Sequence, residues 1–538
     1  MKDIRASIAA ERIAWCLLVL TLLVAAIIRY HLLDVPLERD EGEYAYTAQL
    51  MLQGIPPYQE VYAMKLPGIY AGYALLLSVF GQTHQGIHAG LLVINAITVL
   101  FVFLLARRMI SPMGAAVSAA AFALFSLDQT MTGVFANAEH FVNFFTVSGL
   151  FVLLRGLESG TLSKIFLAGL LLGCGSTMKQ HGLFFVAFAL IYVAVFSVMS
   201  FPVRKRQVFS RLAAVVAAVA IVFGGLLLTL HWVGVFKSFW FWTVDYAREY
   251  VSEISVQKAP ANFLINATPV VRSAPLFWAL VGVGILGLVK KGLPKQYKIF
   301  LIGYAVFSLL SICPGYYFRP HYFLLVLPCA GILVGNGVNA MTAWIREISS
   351  QRIQYAVPTL VVAIALAHSI YLQRNYLFSM SPFQITRAIY SANPFYESLE
   401  LADYIRKHTN PNDYIAILGS EPQIYFYSHR RSASGYIYMY PMMQNDEFAK
   451  VMQEAFIADI DKKDPRYILF VNVPFSWLRR SDSPHRLFDW FKDDYRLRKL
   501  EVVGVVELLE DRAVYHWQPN VKWPVDSRYW VAVFERTG

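Results

Sequence analysis

The chain has 538 residues, 57% of them hydrophobic and only 15% charged, whereas a soluble domain carries about a quarter charged residues. With a mean hydropathy of +0.46, this composition excludes a single soluble globular domain. The sequence also shows no Gly-rich phosphate loop of the kind an ATP-driven pump or a nucleotide-sugar fold would need.

Up to Leu372 apolar runs alternate with short polar breaks, and from Gln373 to Gly538 charges and turns return at ordinary density. This predicts a membrane domain over 1–372 and a soluble α/β domain over 373–538. The first run, Ile13 to Leu33, follows Lys2, Arg5 and Arg12. It is longer than the apolar part of a signal peptide and lacks a cleavage site after it, so it reads as a retained helix. A spanning helix needs about 20 apolar residues. The runs Ile87–Ala106, Met113–Met131, Phe141–Leu154, Ile165–Met178, Leu183–Met199, Leu212–Trp232, Leu276–Val289, Ile299–Cys313, Tyr322–Val338 and Ile353–Leu372 bring the candidates to eleven.

Basic residues beside helix ends mark the cytoplasmic side. With a cytoplasmic N-terminus, that side receives Arg107, Arg108, Arg155, Lys164, Arg204, Lys205, Arg206, Arg211, Lys290, Lys291, Lys295, Lys298, Arg346 and Arg352 besides the first three. These 17 basic residues face only Asp3, Glu11, Glu158 and Glu347, so the +11 balance is a topology signal and calls for no nucleic-acid partner. Leu66 to Phe80 is apolar too, but counting it as a span would invert every later loop. It is therefore expected along the outer surface or dipping in partway. The loop Asp34 to Gly86 and the C-terminal domain are then external.

All four cysteines (Cys16, Cys174, Cys313 and Cys329) lie in apolar runs, and no CxxC or His spacing suggests zinc. His84, His88 and His368 lack ligand spacing and read as helix-end residues.

The external ends collect ionisable groups, which are costly at membrane depth and point to a cavity or a partner. The first loop carries Glu38-Arg39-Asp40-Glu41-Gly42-Glu43-Tyr44, Pro56-Pro57-Tyr58 and Lys65-Leu66-Pro67-Gly68. Later turns bring Asn137-Ala138-Glu139-His140, Lys179-Gln180-His181 and Arg319-Pro320-His321-Tyr322. Carboxylates can activate a nucleophile, and Lys, Arg and His can hold an anionic group such as phosphate. Each has a plainer reading. Asp40 could cap a helix, Glu139 and Lys179 could mark helix ends, Arg319 could snorkel to headgroups, and the aromatics could form an interfacial belt.

The first-loop residues Asp40-Glu41-Gly42-Glu43-Tyr44-Ala45-Tyr46, Gly54-Ile55-Pro56-Pro57-Tyr58 and Lys65-Leu66-Pro67-Gly68 with Tyr70 resemble the C-type membrane glycosyltransferases. The match is to the bacterial branch of the protein O-mannosyltransferase family (glycosyltransferase family 39), related to the aminoarabinose transferase of lipid A. The resemblance implies a polytopic helical fold with juxtamembrane helices in the first loop. It implies inverting transfer of a hexose or pentose from a polyprenyl-phosphate donor to a glycan, lipid or protein acceptor, at the outer face of the plasma membrane.

By position it assigns Asp40, with Glu41, to catalysis and Glu139 to a second acid. Lys65, Lys179, Arg319 and His321 become ligands of the donor phosphate, and Tyr44, Tyr58 and Tyr322 line the substrate. Two prolines often follow the family's lysine, whereas this chain has Leu66-Pro67. A divalent cation near Asp40 and Glu139 is compatible with the motif but not demanded by it.

In the C-terminal part, helices are predicted at Tyr396–His408, Asp446–Ile460 and Arg486–Phe491. Strands are predicted at Tyr414–Leu418, Tyr467–Val471, Leu500–Leu508, Ala513–Trp517 and Tyr529–Phe534. No catalytic constellation is evident there, and acceptor recognition or a lid is the expected role. The rival reading is a transporter or flippase for a lipid-linked or anionic substrate, against which stands the lack of paired, Gly- or Pro-broken helices in matching halves.

Overall fold

A computed structural model describes residues 2–199, 205–289, 292–346, 351–445, 447–496 and 499–537. Arg204, Lys290, Lys291, Glu347 and Asp446 lie outside the described residues, as do the side chains of Lys2, Asp3, Arg5 and Arg352.

The first part is helical: α1 (Lys2–His31), α2 (Arg39–Leu52), α3 (Pro67–Phe80), α4 (His84–Arg107), α5 (Pro112–Phe125), α6 (Ala138–Ser159), α7 (Leu162–Met178), α8 (Leu183–Met199) and α9 (Lys205–Trp232). Then come α10 (Phe236–Trp240), α11 (Tyr246–Ser252), α12 (Ala259–Ser273), α13 (Pro275–Gly287), α14 (Lys295–Ser311), a 3₁₀ turn at Pro320–Val326 leading into α15 (Leu327–Arg346), and α16 (Gln351–Leu372). Each of the eleven apolar runs falls on a helix. Among the described residues six helical stretches are long and apolar enough to cross a membrane, or seven if α12 and α13, bent by 99°, count as one span. Three of the remaining runs fall on shorter apolar helices, α5, α7 and most of α16. At 1.5 Å per residue the 14-residue α3 reaches only about 21 Å, short of a hydrocarbon core of about 30 Å.

The helix ends sort into two groups. At one end Arg107 of α4 bonds Glu11 of α1 at 2.5 Å, Arg108 pairs with Glu158 at the end of α6, and the Tyr297 hydroxyl of α14 donates to Glu158 at 2.7 Å. At the other end His88 of α4 meets the Leu33 carbonyl at 3.2 Å, and the starts of α2 and α6 converge with the end of α7. This is the grouping that the charge pattern requires.

Two short helices, α17 (Arg374–Phe378) and α18 (Pro382–Tyr390), pack Tyr376, Leu377 and Ile385 against Ile28, Leu32 and Phe135. The remainder adds α19 (Ser398–His408), β1 (Tyr414–Leu418), α20 (Pro422–Ser428), β2 (Arg431–Ser432), α21 (Glu447–Lys463), β3 (Tyr467–Asn472), α22 (Pro474–Trp477), α23 (Arg486–Arg496), β4 (Leu500–Leu508), β5 (Ala513–Trp517) and β6 (Trp530–Arg536). The sheet order is β2-β1-β3-β6-β4-β5, parallel across β2-β1-β3 and antiparallel beyond.

Alternation along the strands sends their side chains to two cores. Ile415, Ile417, Leu469, Val471, Val531 and Val533 join a core shared with the first loop, including Tyr44, Tyr46 and Ile69. Ala416, Leu418, Ile468 and Phe534 face the opposite core with Phe456 of α21 and Leu487 of α23. Helices α2 and α20 touch closely at Gly42, where a Cβ would come within 2.6 Å of the Gln423 nitrogen. The sheet-bearing part is thus seated on the first loop.

Candidate active site

The start of α2 sets the geometry. Glu38, not Asp40, is its N-cap: the Glu38 carboxylate accepts from the Glu41 amide at 3.1 Å, and Glu41 reaches back to the Glu38 amide at 3.3 Å. This reciprocal cap leaves Asp40 in the first turn, where an anion is favoured by the helix dipole.

Neighbours on a helix point about 100° apart, so Asp40 and Glu41 face different surroundings. Asp40 Oδ2 pairs with Lys65 Nζ at 3.1 Å, and the two side chains keep 22% and 27% exposure. Its Oδ1 accepts from the Tyr438 hydroxyl at 3.1 Å. Glu41 is fully buried, bonding His88 Nε2 at 3.0 Å and the Ala136 amide at 2.5 Å. Glu41, expected to share in catalysis, is placed by the structure away from Asp40, where it ties α2 to α4 and to the lead-in of α6.

Burial alone would raise the Asp40 carboxyl, but the Lys65 charge, with His321 and Lys179 behind it, holds it well below the usual carboxylate range. Lys65 is correspondingly raised: Asp40 and Glu43 outweigh the burial that would lower it. Lys65 is fixed from behind. Its carbonyl accepts from the Tyr58 hydroxyl at 2.6 Å, and its ammonium lies 3.4 Å from the Tyr44 hydroxyl and 5.4 Å from that ring's centre. Tyr44 and Tyr58, expected to line substrate, are only 1% and 2% exposed. They back the lysine instead.

Gly68 lets this segment approach α7, since a Cβ there would meet the Thr177 carbonyl oxygen at 2.5 Å. That approach brings Lys179, just past α7, into the same end of the bundle. Lys179 bonds Glu139 Oε1 at 2.5 Å and lies 4.2 Å from the Tyr322 ring centre, with His321 Nε2 3.9 Å from the same Glu139 oxygen. Both members of this pair are buried, and Glu139 Oε2 has no hydrogen-bond partner among the described residues.

Arg319 follows a turn in which Gly315, Tyr316 and Phe318 all take positive φ. It stacks 5.1 Å from the Tyr317 ring centre and is raised despite burial, through Tyr250, Tyr322 and Tyr440. Among the described residues it has no carboxylate within salt-bridge distance, unlike Lys65, Lys179 and Arg39, the last pairing with Glu421 at 2.9 Å.

Two groups escaped the sequence reading. Tyr438, from the part where no catalytic constellation was evident, touches Asp40. Glu43, one turn after Asp40, accepts from the Tyr70 hydroxyl at 2.5 Å; burial and the nearby Asp40 charge push it up to about 7, against the pull of Lys65. Its place in the ERDEGEY run was visible, but its partners were not. Where the motif allowed a divalent cation, Asp40 and Glu139 are each paired with a lysine, and no group of three His, Cys, Asp or Glu residues among those described is placed to hold a metal.

Residues 66–232 match the family described as dolichyl-phosphate-mannose-protein mannosyltransferase. No curated protein matches the chain. Among solved structures the chain is similar to ArnT from Cupriavidus metallidurans bound to undecaprenyl phosphate, with a TM-score of 0.56 at 15% identity, covering 96% of this chain and 97% of that one. It is also similar to the oligosaccharyltransferase AglB from Archaeoglobus fulgidus in complex with an inhibitory peptide and a dolichol-phosphate, with a TM-score of 0.50 at 13% identity, covering 95% and 75%. The resemblance seen in the first loop thus extends to the whole architecture: the chain has the C-type membrane glycosyltransferase fold.

Proposed function

We propose that the chain transfers a sugar from a polyprenyl-phosphate donor to an acceptor hydroxyl, with inversion, at the outer face of the plasma membrane. The observation that carries this reading is the Asp40–Lys65 pair. It is a partly open carboxylate beside a lysine, with Arg319 as a spare cation nearby, at one end of a membrane bundle. Its neighbours in fold hold undecaprenyl phosphate in one case and an inhibitory peptide with a dolichol-phosphate in the other.

In this reading Asp40 takes the proton of the acceptor hydroxyl as its oxygen attacks the anomeric carbon from the face opposite the phosphate. The leaving group is a phosphate monoester, stable as an anion, so no general acid is needed. Positive charge is needed instead, and Arg319 supplies it without first having to leave a carboxylate. Lys65 contributes when the donor phosphate draws it from Asp40, which also frees Oδ2. His321 and Tyr322 flank the same end. Lys179 is committed to Glu139 and acts by long-range charge. The acceptor is a glycan, lipid or protein, and membrane lipids surround the bundle.

Outward orientation is supported by the basic residues gathered at the end opposite the site, among them Arg107 and Arg108. Cells lacking the protein are expected to accumulate the sugar-loaded carrier and to lose one surface glycan or glycolipid modification. Purified protein should release polyprenyl phosphate from that donor. Movement of intact donor across vesicles without cleavage would favour the flippase reading.

A further inference from the structure

Arg39 and Asp40 leave the first turn of α2 in different directions. Arg39 turns to the sheet-bearing part: its guanidinium donates to Glu421 Oε1 and Asn393 Oδ1, each at 2.9 Å, and to the Ser420 carbonyl. It lies over the Phe395 and Tyr440 rings, 5.4 and 5.5 Å from their centres. Glu421 is fully buried, and its other oxygen accepts from the Ser476 hydroxyl at 2.7 Å. Ser420 carries the connection onward. Its hydroxyl accepts from the Met439 amide at 2.9 Å and donates to the Ser476 carbonyl at 2.6 Å. Tyr438, next in the chain to Met439, closes the path, because its hydroxyl lies 3.1 Å from both Asp40 Oδ1 and the Arg39 carbonyl.

Both acceptors of that hydroxyl belong to the first two residues of α2, so it is held there whichever of them takes its hydrogen. This bears on which oxygen of Asp40 does the chemistry. Oδ2 pairs with Lys65 at 3.1 Å, and a carboxylate free to turn would follow the lysine or present either oxygen. A hydrogen bond on Oδ1 removes that freedom, and holding a catalytic group in its reactive orientation lowers the barrier.

We infer that Tyr438 is a positioning residue that commits Oδ2 of Asp40 to the acceptor, and that Arg39 is the clamp that keeps Tyr438 in place. The inference rests on the proposed glycosyl transfer. In that step the acceptor O–H bond breaks and its proton passes to Oδ2. The acceptor oxygen bonds the anomeric carbon, and the carbon–oxygen bond to phosphate breaks with its electron pair left on the carrier. Tyr438 keeps its own proton throughout. The sheet-bearing part is then a piece of the active site.

A plainer role for Arg39 is to seat the sheet-bearing part, and the molecule supplies the control. Arg431 of β2 pairs with Glu60 of the first loop across the same boundary, Nε to Oε2 at 3.0 Å. Among the described residues this pair shares no hydrogen bond with Arg39, Asp40 or Tyr438.

The test uses the full chain in lipid nanodiscs with a panel of undecaprenyl-phosphate-linked sugars and a membrane lipid extract as acceptor, reading release of undecaprenyl phosphate. Tyr438→Phe should lower kcat about 10–10²-fold, the scale of a misplaced reacting group, with donor KM and affinity for undecaprenyl phosphate unchanged. Arg39→Met should lower kcat likewise, and adding it to Tyr438→Phe should cost little more, as for residues acting through one contact. Glu421→Gln, which keeps the shape of the pair, takes its place if Arg39→Met does not fold. Arg431→Met should leave kcat at the wild-type value. The infrared carboxylate band that Asp40→Asn removes should shift in Tyr438→Phe and Arg39→Met but not in Arg431→Met. Equal loss of kcat in Arg39→Met and Arg431→Met reduces the clamp to domain seating and overturns it. A Tyr438→Phe protein with wild-type kcat, or with the carboxylate band unmoved, overturns the positioning role alone. A wild-type protein that releases no carrier from any donor overturns the proposed transfer and this inference with it.

Discussion

Two lysine–carboxylate pairs stand at the same end of the bundle and differ in what encloses them. Asp40 and Lys65 keep 22% and 27% exposure at 3.1 Å, whereas Glu139 and Lys179 keep 1% and 9% at 2.5 Å. The first pair is supported by tyrosines and can open toward a substrate. The second is sealed between helices, where separating the charges would strand them in a low-dielectric interior. Under the proposed transfer the same residue types serve reaction in one place and architecture in the other, and solvent access distinguishes them.

The comparison breaks first at Lys179. Replacing it with Met leaves Glu139 buried without its partner, and the loss of stability should be about 3–5 kcal/mol, read as a large fall in thermal unfolding temperature. Adding Glu139→Gln should return much of it. Lys65→Met should do the reverse: nearly normal unfolding, but donor turnover down about 10²–10³-fold, as for a lost electrostatic donor.

Gly42→Ala tests whether the C-terminal part completes the open pair. Its Cβ would collide with the Gln423 backbone. It should cost about 1–3 kcal/mol of overpacking and lower turnover with it, because Tyr438 moves away from Asp40. The mildest change sharpens sidedness: in a chain with its four native cysteines replaced, Gln53→Cys on the exposed end of α2 should react with an impermeant maleimide added outside intact cells, with activity unchanged.

Much of the architecture was legible because apolar runs and alternation are local signals. Strands such as Tyr414–Leu418, Leu500–Leu508 and Ala513–Trp517 fall where the pattern put them. The separate roles of Asp40 and Glu41 were not legible. They are adjacent and both acidic, and only their angular positions on α2 distinguish the partly open face from the buried one. Glu43 and Tyr58 likewise could be seen in the motif, but not their burial. Tyr438 was beyond reach for another reason. It lies 398 residues from Asp40, in a segment with no helical or strand period, and only the seating of the sheet on the first loop joins them. Short elements such as α20 and α22 carried too few residues for any periodicity to register.

The most direct measurement is cleavage of a polyprenyl-phosphate sugar by the purified Asp40→Asn protein beside the wild type. The amide keeps the shape of the side chain and removes the base. The account predicts intact folding, retained affinity for polyprenyl phosphate and turnover lowered by about 10²–10⁴-fold. Release of the carrier at near wild-type rate by that variant would contradict it.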